Sequence, residues 1–241
     1  MNILSFLLLL ISPLVTEDKT PIYQNTNYSY EERAVDLVSR LTLEEKESLL
    51  GNNMAAIPRL GVRQYNVWSE ALHGVLAGAN PSVGIQGPTS YPNSVATGSS
   101  WDPELLEREA AAIADEARAI FQTGTKGLSF WSPVVEPIRD PRWGRGHETY
   151  GEDPYLTSRL GVAYVRGIQG DGEHLKAAAC AKHFAVHSGP EPLRHSYDAS
   201  VSMRDLWETY LPAFKALVQK GNVREVMCAY NRYEGEPCCT S

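Results

Sequence analysis

Apolar positions along the chain follow two rhythms: helical spacing in some stretches, short compact runs ending in polar clusters in others. Between Tyr30 and Leu41, the residues Ala34, Leu37, Val38 and Leu41 recur at three- and four-residue intervals, which predicts an amphipathic helix. Thr42-Leu43-Glu44-Glu45 has the capping-box pattern, so a second helix starts there and stops near Gly51. Gln64–Trp68 predicts a short strand. Gly78 to Ser100 is rich in Gly, Pro, Ser and Thr and reads as loop with short extended pieces. Asp102-Pro103 combines an N-cap with proline at the first helical position. The helix it opens runs through Leu106, Ala110, Ile113 and Ala117 to Phe121. Asp153-Pro154 repeats that start, for a helix ending between Gly167 and Gly170, and Ser202 opens another that runs to Gly221. Leu128–Val134, Lys176–Phe184 and Glu225–Tyr230 predict strands.

From Asp102 onward, helices and strands alternate. That order implies an α/β fold with a parallel sheet and crossover helices. A (β/α) barrel and an open doubly wound sheet both fit, and in both the site lies at the carboxyl ends of the strands. No Gly-x-Gly-x-x-Gly follows a first strand, which counts against a dinucleotide-binding sheet.

The 241 residues allow one large domain or two small ones, and 43% hydrophobic with 21% charged residues is ordinary for a globular chain. A net charge of −7 argues against a nucleic-acid partner, because binding phosphates needs a basic face. The apolar run within Met1–Thr16 is too short to span a membrane and reads as a secretory signal. Residues 1–16 are therefore expected to be a signal peptide and 17–241 the mature chain, secreted or periplasmic, with no membrane partner after cleavage. Cys180, Cys228, Cys238 and Cys239 do not match a zinc spacing. In an oxidising compartment Cys228 can pair with one of the adjacent two; free thiols fit equally well.

Candidate chemistry concentrates in Arg139–Pro154, which carries four Arg or Trp side chains, four carboxylates and three glycines. Such residues rarely fill a core unless paired, and the run is too irregular for a helix or strand. Two readings apply: a structural Arg–Asp knot, or a shaped site in which Arg donates to hydroxyls and Trp covers an apolar sugar face. Lys182 and His183 end a predicted strand, which places two donors at the mouth of the sheet. A bend or bulge is needed to aim both inward. Glu70, after the early strand, can accept from sugar hydroxyls or sit as a helix-start carboxylate. Tyr230 is a pocket wall or a rim aromatic. His183, His187, Glu191 and His195 also suggest a metal-dependent α/β hydrolase, but Ser188-Gly189-Pro190 interrupts any helix that would align them.

Five motifs in order then resemble one family. They are Trp68-Ser69-Glu70-Ala71-Leu72-His73-Gly74, Asp140-Pro141-Arg142-Trp143-Gly144-Arg145, Glu148-Thr149-Tyr150-Gly151-Glu152-Asp153-Pro154, Lys182-His183-Phe184 and Val226-Met227-Cys228-Ala229-Tyr230-Asn231. From Tyr30 to Ser241 the chain resembles glycoside hydrolase family 3, in its β-glucosidase and β-xylosidase branch. The resemblance implies a (β/α)8 TIM-barrel-like domain, incomplete at the C-terminus, that holds one terminal sugar in a blind pocket. Glu70, Arg145, Lys182 and His183 would hold its hydroxyls and Tyr230 would line the same subsite. No cofactor or metal is expected. The partner is an oligosaccharide or β-glycoside. The family is retaining, and its nucleophile Asp and acid/base Glu are expected beyond Ser241, the latter in a C-terminal domain of the same chain. The chain as it stands is therefore expected to be an inactive fragment, or a non-catalytic sugar-binding remnant. Phe184–Pro190 lacks the Gly-His-Gly-Asp pattern of members that cleave N-acetylglucosamine. Many glucosidase members carry Asp where Glu70 stands. A longer carboxylate occupies space needed by a hexose hydroxymethyl, which favours xylose over glucose.

Overall fold

The computed structural model describes residues 20–77, 87–124 and 127–240. The expected signal segment, and residues 78–86 of the Gly-rich stretch, lie outside them. The chain divides after Leu50 into two units.

The first unit holds a 3-10 turn (Ile22–Gln24) and helices α1 (Tyr30–Arg40) and α2 (Leu43–Ser48). Both helices begin with complete capping boxes, Ser29 with Glu32 and Thr42 with Glu45. The expected apolar face of α1 is only partly realised. Leu41 is buried and Leu37 half-buried, whereas Ala34 and Val38 are exposed. The helix is instead tied to the preceding turn by polar groups. The Tyr23 amide donates to Asp36 at 3.0 Å and Arg33 Nε donates to the Tyr23 carbonyl at 3.2 Å.

The second unit opens with a small antiparallel pair, β1 (Asn53–Met54) and β2 (Tyr65–Asn66). Within the loop expected up to Ser100 stands a short helix, α3 (Ser94–Gly98), capped by Asn93. The main layers are helices α4 (Pro103–Gln122) and α5 (Pro154–Gln169) and strands β3 (Ser129–Phe130) and β4 (Ala178–Phe184). Both helices start at the expected caps, with Asp102 accepting from the Leu105 amide and Asp153 from the Leu156 amide. Beyond them come β5 (Asp198–Ala199), α6 (Met203–Asp205), α7 (Pro212–Gln219), β6 (Glu225–Cys228) and a hairpin of β7 (Arg232–Tyr233) and β8 (Glu236–Pro237). The continuous helix expected from Ser202 to Gly221 is broken. A π-turn at Leu206–Tyr210 closes with the Leu211 amide on the Leu206 carbonyl. Pro212 has no N–H to continue the ladder, and the extra residue absorbs the mismatch.

Strands β3, β4 and β6 form a parallel sheet in that order, as the alternation predicts. Among the described residues this sheet is open and has three strands. The α/β class is as expected; a closed barrel is not present in these residues. Small residues in β4 (Ala178, Ala179, Cys180, Ala181) let the helices come close. Leu106, Ala110 and Ile113 of α4 meet Leu160, Tyr164 and Ile168 of α5 and Phe214 and Leu217 of α7 over them. Cys228 is bonded to Cys239, while Cys180 and Cys238 are buried thiols. Among the described residues no helix is long and apolar enough to cross a membrane.

α4 and α5 approach closely at Gly167, where an added Cβ would stand 2.4 Å from the Glu107 carbonyl oxygen and 2.6 Å from Ala110 Cβ. Gly167→Ala is expected to cost about 1–3 kcal/mol by forcing the helices apart. A thermal melt within a degree of wild type would contradict this packing.

Candidate functional site

The carboxyl ends of β3 and β4 deliver the site. Past β3 the chain passes Val134, which bridges to Lys182, and reaches Glu136, a carboxylate with no exposed surface. Past Ala181 the pairing of β4 with β6 shifts register between Lys182 and Phe184. This irregularity falls at the adjacent Lys and His, and both side chains are buried.

His183 donates twice to Glu136. Its backbone N–H meets Oε2 at 2.6 Å and Nδ1 meets Oε1 at 2.6 Å. Its other ring nitrogen, Nε2, lies 2.9 Å from Arg145 Nη1. A guanidinium can only donate, so Nε2 accepts and the ring proton sits on Nδ1. Burial alone would raise the Glu136 pKa, but the electrostatic attraction of the His183 ring and its Nδ1–H hydrogen bond, aided by His187, outweigh it and hold it at about 2. Arg145 also forks onto Glu148, with Nε to Oε1 at 2.7 Å and Nη2 to Oε2 at 2.5 Å. Burial works against both charges there, yet the pairing keeps Arg145 raised and Glu148 lowered. Lys182 Nζ reaches Glu70 Oε1 at 2.5 Å. Burial raises the Glu70 pKa, and Lys182 opposes that shift without cancelling it.

Glu70 is set in place from behind. The Ser69 carbonyl accepts from the Trp131 amide at 2.8 Å, the Glu70 carbonyl from the Leu76 amide at 2.7 Å, and the Ala71 carbonyl from the Tyr164 hydroxyl at 2.5 Å. Glu70, Arg145 and Glu148 line a cavity of about 630 Å³ with His73, Thr89 and Asn93 opposite.

Four of the five expected residues thus form two contacting pairs, Glu70 with Lys182 and Arg145 with His183. Both ring nitrogens of His183 are engaged, Nδ1 by Glu136 and Nε2 by Arg145, so the ring holds Arg145 beside the cavity. Tyr230 stands apart and is half-exposed, with His195 at 5.0 Å and His187 at 6.2 Å between ring centroids and Arg194 over its ring. It is linked to the rest through His187, whose ring lies 4.8 Å from that of His183.

Arg139–Pro154 divides between an ion pair outside the cavity and one at its wall. Arg142 and Asp140 form the exposed structural knot, and Arg145 with Glu148 enters the site. Two details are corrected. Trp143 is buried against the edge of His187 and offers no face to a sugar, and Tyr150 and Thr149 are also buried, so the run does contribute to the interior. The residues of the alternative metal reading, His183, His187, Glu191 and His195, are not all brought together. His195 packs on Tyr230 and Glu191 accepts from the Gly144 amide at 3.1 Å. Glu136, His183 and His187 do converge, with ligand-capable atoms within 4.8 Å. Both oxygens of Glu136 and both ring nitrogens of His183 are engaged by protein groups, whereas His187 Nε2 is buried without a hydrogen-bond partner. Glu136 and the role of Glu148 were missed in the sequence. The available signal was an acidic residue directly after a strand, in Val134-Val135-Glu136-Pro137.

Residues 70–241 match the model of the glycosyl hydrolase family 3 N terminal domain. The chain belongs to glycosyl hydrolase family 3. A xylan 1,4-beta-xylosidase of Xylanibacter ruminicola is 50% identical over 232 residues, 91% of this chain and 26% of that family 3 relative. A beta-xylosidase/alpha-L-arabinofuranosidase of Medicago sativa subsp. varia is 44% identical, covering 89% of this chain and 29% of its own length. The structure of a family 3 exo-beta-xylosidase in complex with a xylobiose aziridine probe aligns with a TM-score of 0.88 at 35% identity, over 92% of this chain and 30% of that one. A beta-glucosidase from Kluyveromyces marxianus aligns at 0.73 and 33%, over 86% and 24%. The chain therefore spans about a quarter to a third of the length of the curated relatives described here.

Glu136→Gln turns an amide NH2 toward one of the two His183 donors and is expected to cost about 1–3 kcal/mol. The lowered pKa of Glu136 gives a definite sign. Its stabilisation is present above the ordinary value of 4.5 and is lost as pH falls toward 2. Acid titration of unfolding should therefore be shallower in Glu136→Gln over that window; an unchanged slope would place the acid sensitivity elsewhere.

Proposed function

We propose that this chain carries the terminal-sugar subsite of a retaining β-glycosidase, which releases β-D-xylose, or less readily β-D-glucose, from plant-type oligosaccharides. One observation carries the reading: Glu70, Arg145 and Glu148 line one cavity, with Lys182 bonded to Glu70 and His183, itself bonded to Glu136, holding Arg145. Charged donors and acceptors alternating in one pocket suit the hydroxyls of a single sugar ring. Glu70, Glu136 and Glu148 against Lys182 and Arg145 make three carboxylates to two cations, a net charge of −1 with the imidazole neutral. One net negative charge suits a transition state of oxocarbenium character. The xylosidase names of the relatives support the same reading.

Within that reading, the three-stranded sheet is part of a (β/α)8 barrel. The nucleophile Asp and acid/base Glu are further along the same polypeptide than Ser241, roughly 5–5.5 Å apart as retention requires. The isolated chain then binds sugar without turnover. Residues 1–16 direct secretion to the exterior or periplasm, and the Cys228–Cys239 bridge fits such an oxidising compartment. A non-catalytic sugar-binding remnant shares the same pocket and differs only in lacking those carboxylates.

Xylose preference follows from Glu70. Its carboxylate is tethered to Lys182 at 2.5 Å and cannot swing aside for a hydroxymethyl group without breaking a largely buried ion pair. In the complete gene product, Glu70→Asp is expected to narrow the ratio of kcat/KM on aryl β-xyloside to that on aryl β-glucoside by about 1–3 kcal/mol. A wild-type enzyme that favours the glucoside would defeat this. Lys182→Ala should abolish binding of methyl β-xyloside measured by calorimetry; binding that survives would remove the pocket from the proposal.

A further inference from the structure

Directly behind Lys182 and His183 the backbone makes an unfavourable turn. Val186 has φ 56°, in the left-handed region that a β-branched residue rarely enters, and its side chain is buried. Such a conformation persists only where its surroundings hold it. The holder is Asn231, itself buried. Its Nδ2 donates to the Ala185 carbonyl at 3.4 Å, the Val186 carbonyl at 3.2 Å and its neighbour Arg232 at 2.9 Å. Three carbonyls fix which way the amide faces, so Oδ1 must be the atom 3.1 Å from His187 Nδ1. An acceptor there places the His187 proton on Nδ1. Burial, the largest influence, lowers the His187 pKa, with His183 and Arg145 acting the same way against Glu136 and the Asn231 hydrogen bond.

Asn231 is held in turn. The Cys228–Cys239 bridge closes the loop that contains it, the Cys238 amide donates to its carbonyl at 3.3 Å, and β7 pairs with β5. Tyr230 lies in the same closed loop.

We propose that Asn231 is a positioning residue of the sugar site: it clamps the strained Val186 turn and sets the His187 proton, keeping Lys182, His183 and Tyr230 in one arrangement. This rests on the sugar-binding reading above. Asn231 touches no ligand in this role and acts through the turn and His187.

The test uses the complete gene product, with binding of methyl β-xyloside, amide exchange at His183 and long-range ¹⁵N spectra of the His187 ring. Asn231→Ala is expected to weaken binding about tenfold or more and to release the His183 amide. Asn231→Asp keeps an acceptor for His187 but sets oxygen against three carbonyls, so it should fare no better. Val186→Gly relaxes the turn. In that background Asn231→Ala should cost about threefold or less, because the two changes act on one strain. The wild-type spectrum should show the Nδ1–H tautomer, lost in Asn231→Ala. Two results overturn the proposal while leaving the sugar site intact: wild-type affinity in Asn231→Ala, or losses that multiply independently in the double variant. If wild type binds no sugar yet Asn231→Ala still frees the His183 amide, the sugar reading falls and the positioning role with it.

Discussion

The site depends on one buried contact, the carboxylate of Glu136 gripped by the main-chain and ring N–H groups of His183. A fully buried carboxylate is costly unless its lone pairs are taken up, and here two are met at 2.6 Å by a single residue. That arrangement fixes both the position of the strand end and the tautomer of the ring. A ring with its proton committed to Glu136 can only accept on its far side, which brings in Arg145. Arg145 then has Nε and Nη2 left for Glu148, and the chain of contacts ends at the cavity wall. Each link is set by the donor and acceptor count of the one before.

The surrounding fold serves to keep that end of β4 in place. Alanines in β4 allow α4, α5 and α7 to pack closely on one side, and Tyr164 reaches through this layer to the Ala71 carbonyl beside Glu70. On the other side the 139–154 loop is pinned by Thr149 to the Glu136 carbonyl at 2.7 Å and by Gly98, which leaves room for the Tyr150 carbonyl. The polar loop is therefore anchored through its own buried aromatic and hydroxyl residues. Its irregular sequence reflects two duties, one inward and one toward the cavity.

Local signals in the sequence were legible where the physics is local. Asp102-Pro103 and Asp153-Pro154 announce helices because the cap and the fixed proline φ act within one turn. The strand ending in Lys182-His183 and the parallel order were legible from run length and alternation. The break at Leu206–Tyr210 was not, since a helical pattern on both sides of Pro212 hides how the mismatch is absorbed. The face of α1 was misread because the turn at Tyr23 binds Asp36 and Arg33, contacts that periodicity does not encode. Trp143 reads as a sugar platform by residue type and is instead an interior wall.

By itself, the sequence determined the α/β class, the helix starts, the family and the four charged or polar groups Glu70, Arg145, Lys182 and His183. These rest on spacing, capping and motif order, which are properties of neighbouring residues. The tertiary structure decided which of those groups face the cavity and which stand behind it. Glu136, Glu148 and Asn231 meet their partners across 47, 3 and 44 positions. For the two long separations, only the folded register of β3, β4 and β6 brings donor and acceptor together. Even the short Arg145–Glu148 pair gains its role only once His183 occupies the remaining arm of the guanidinium.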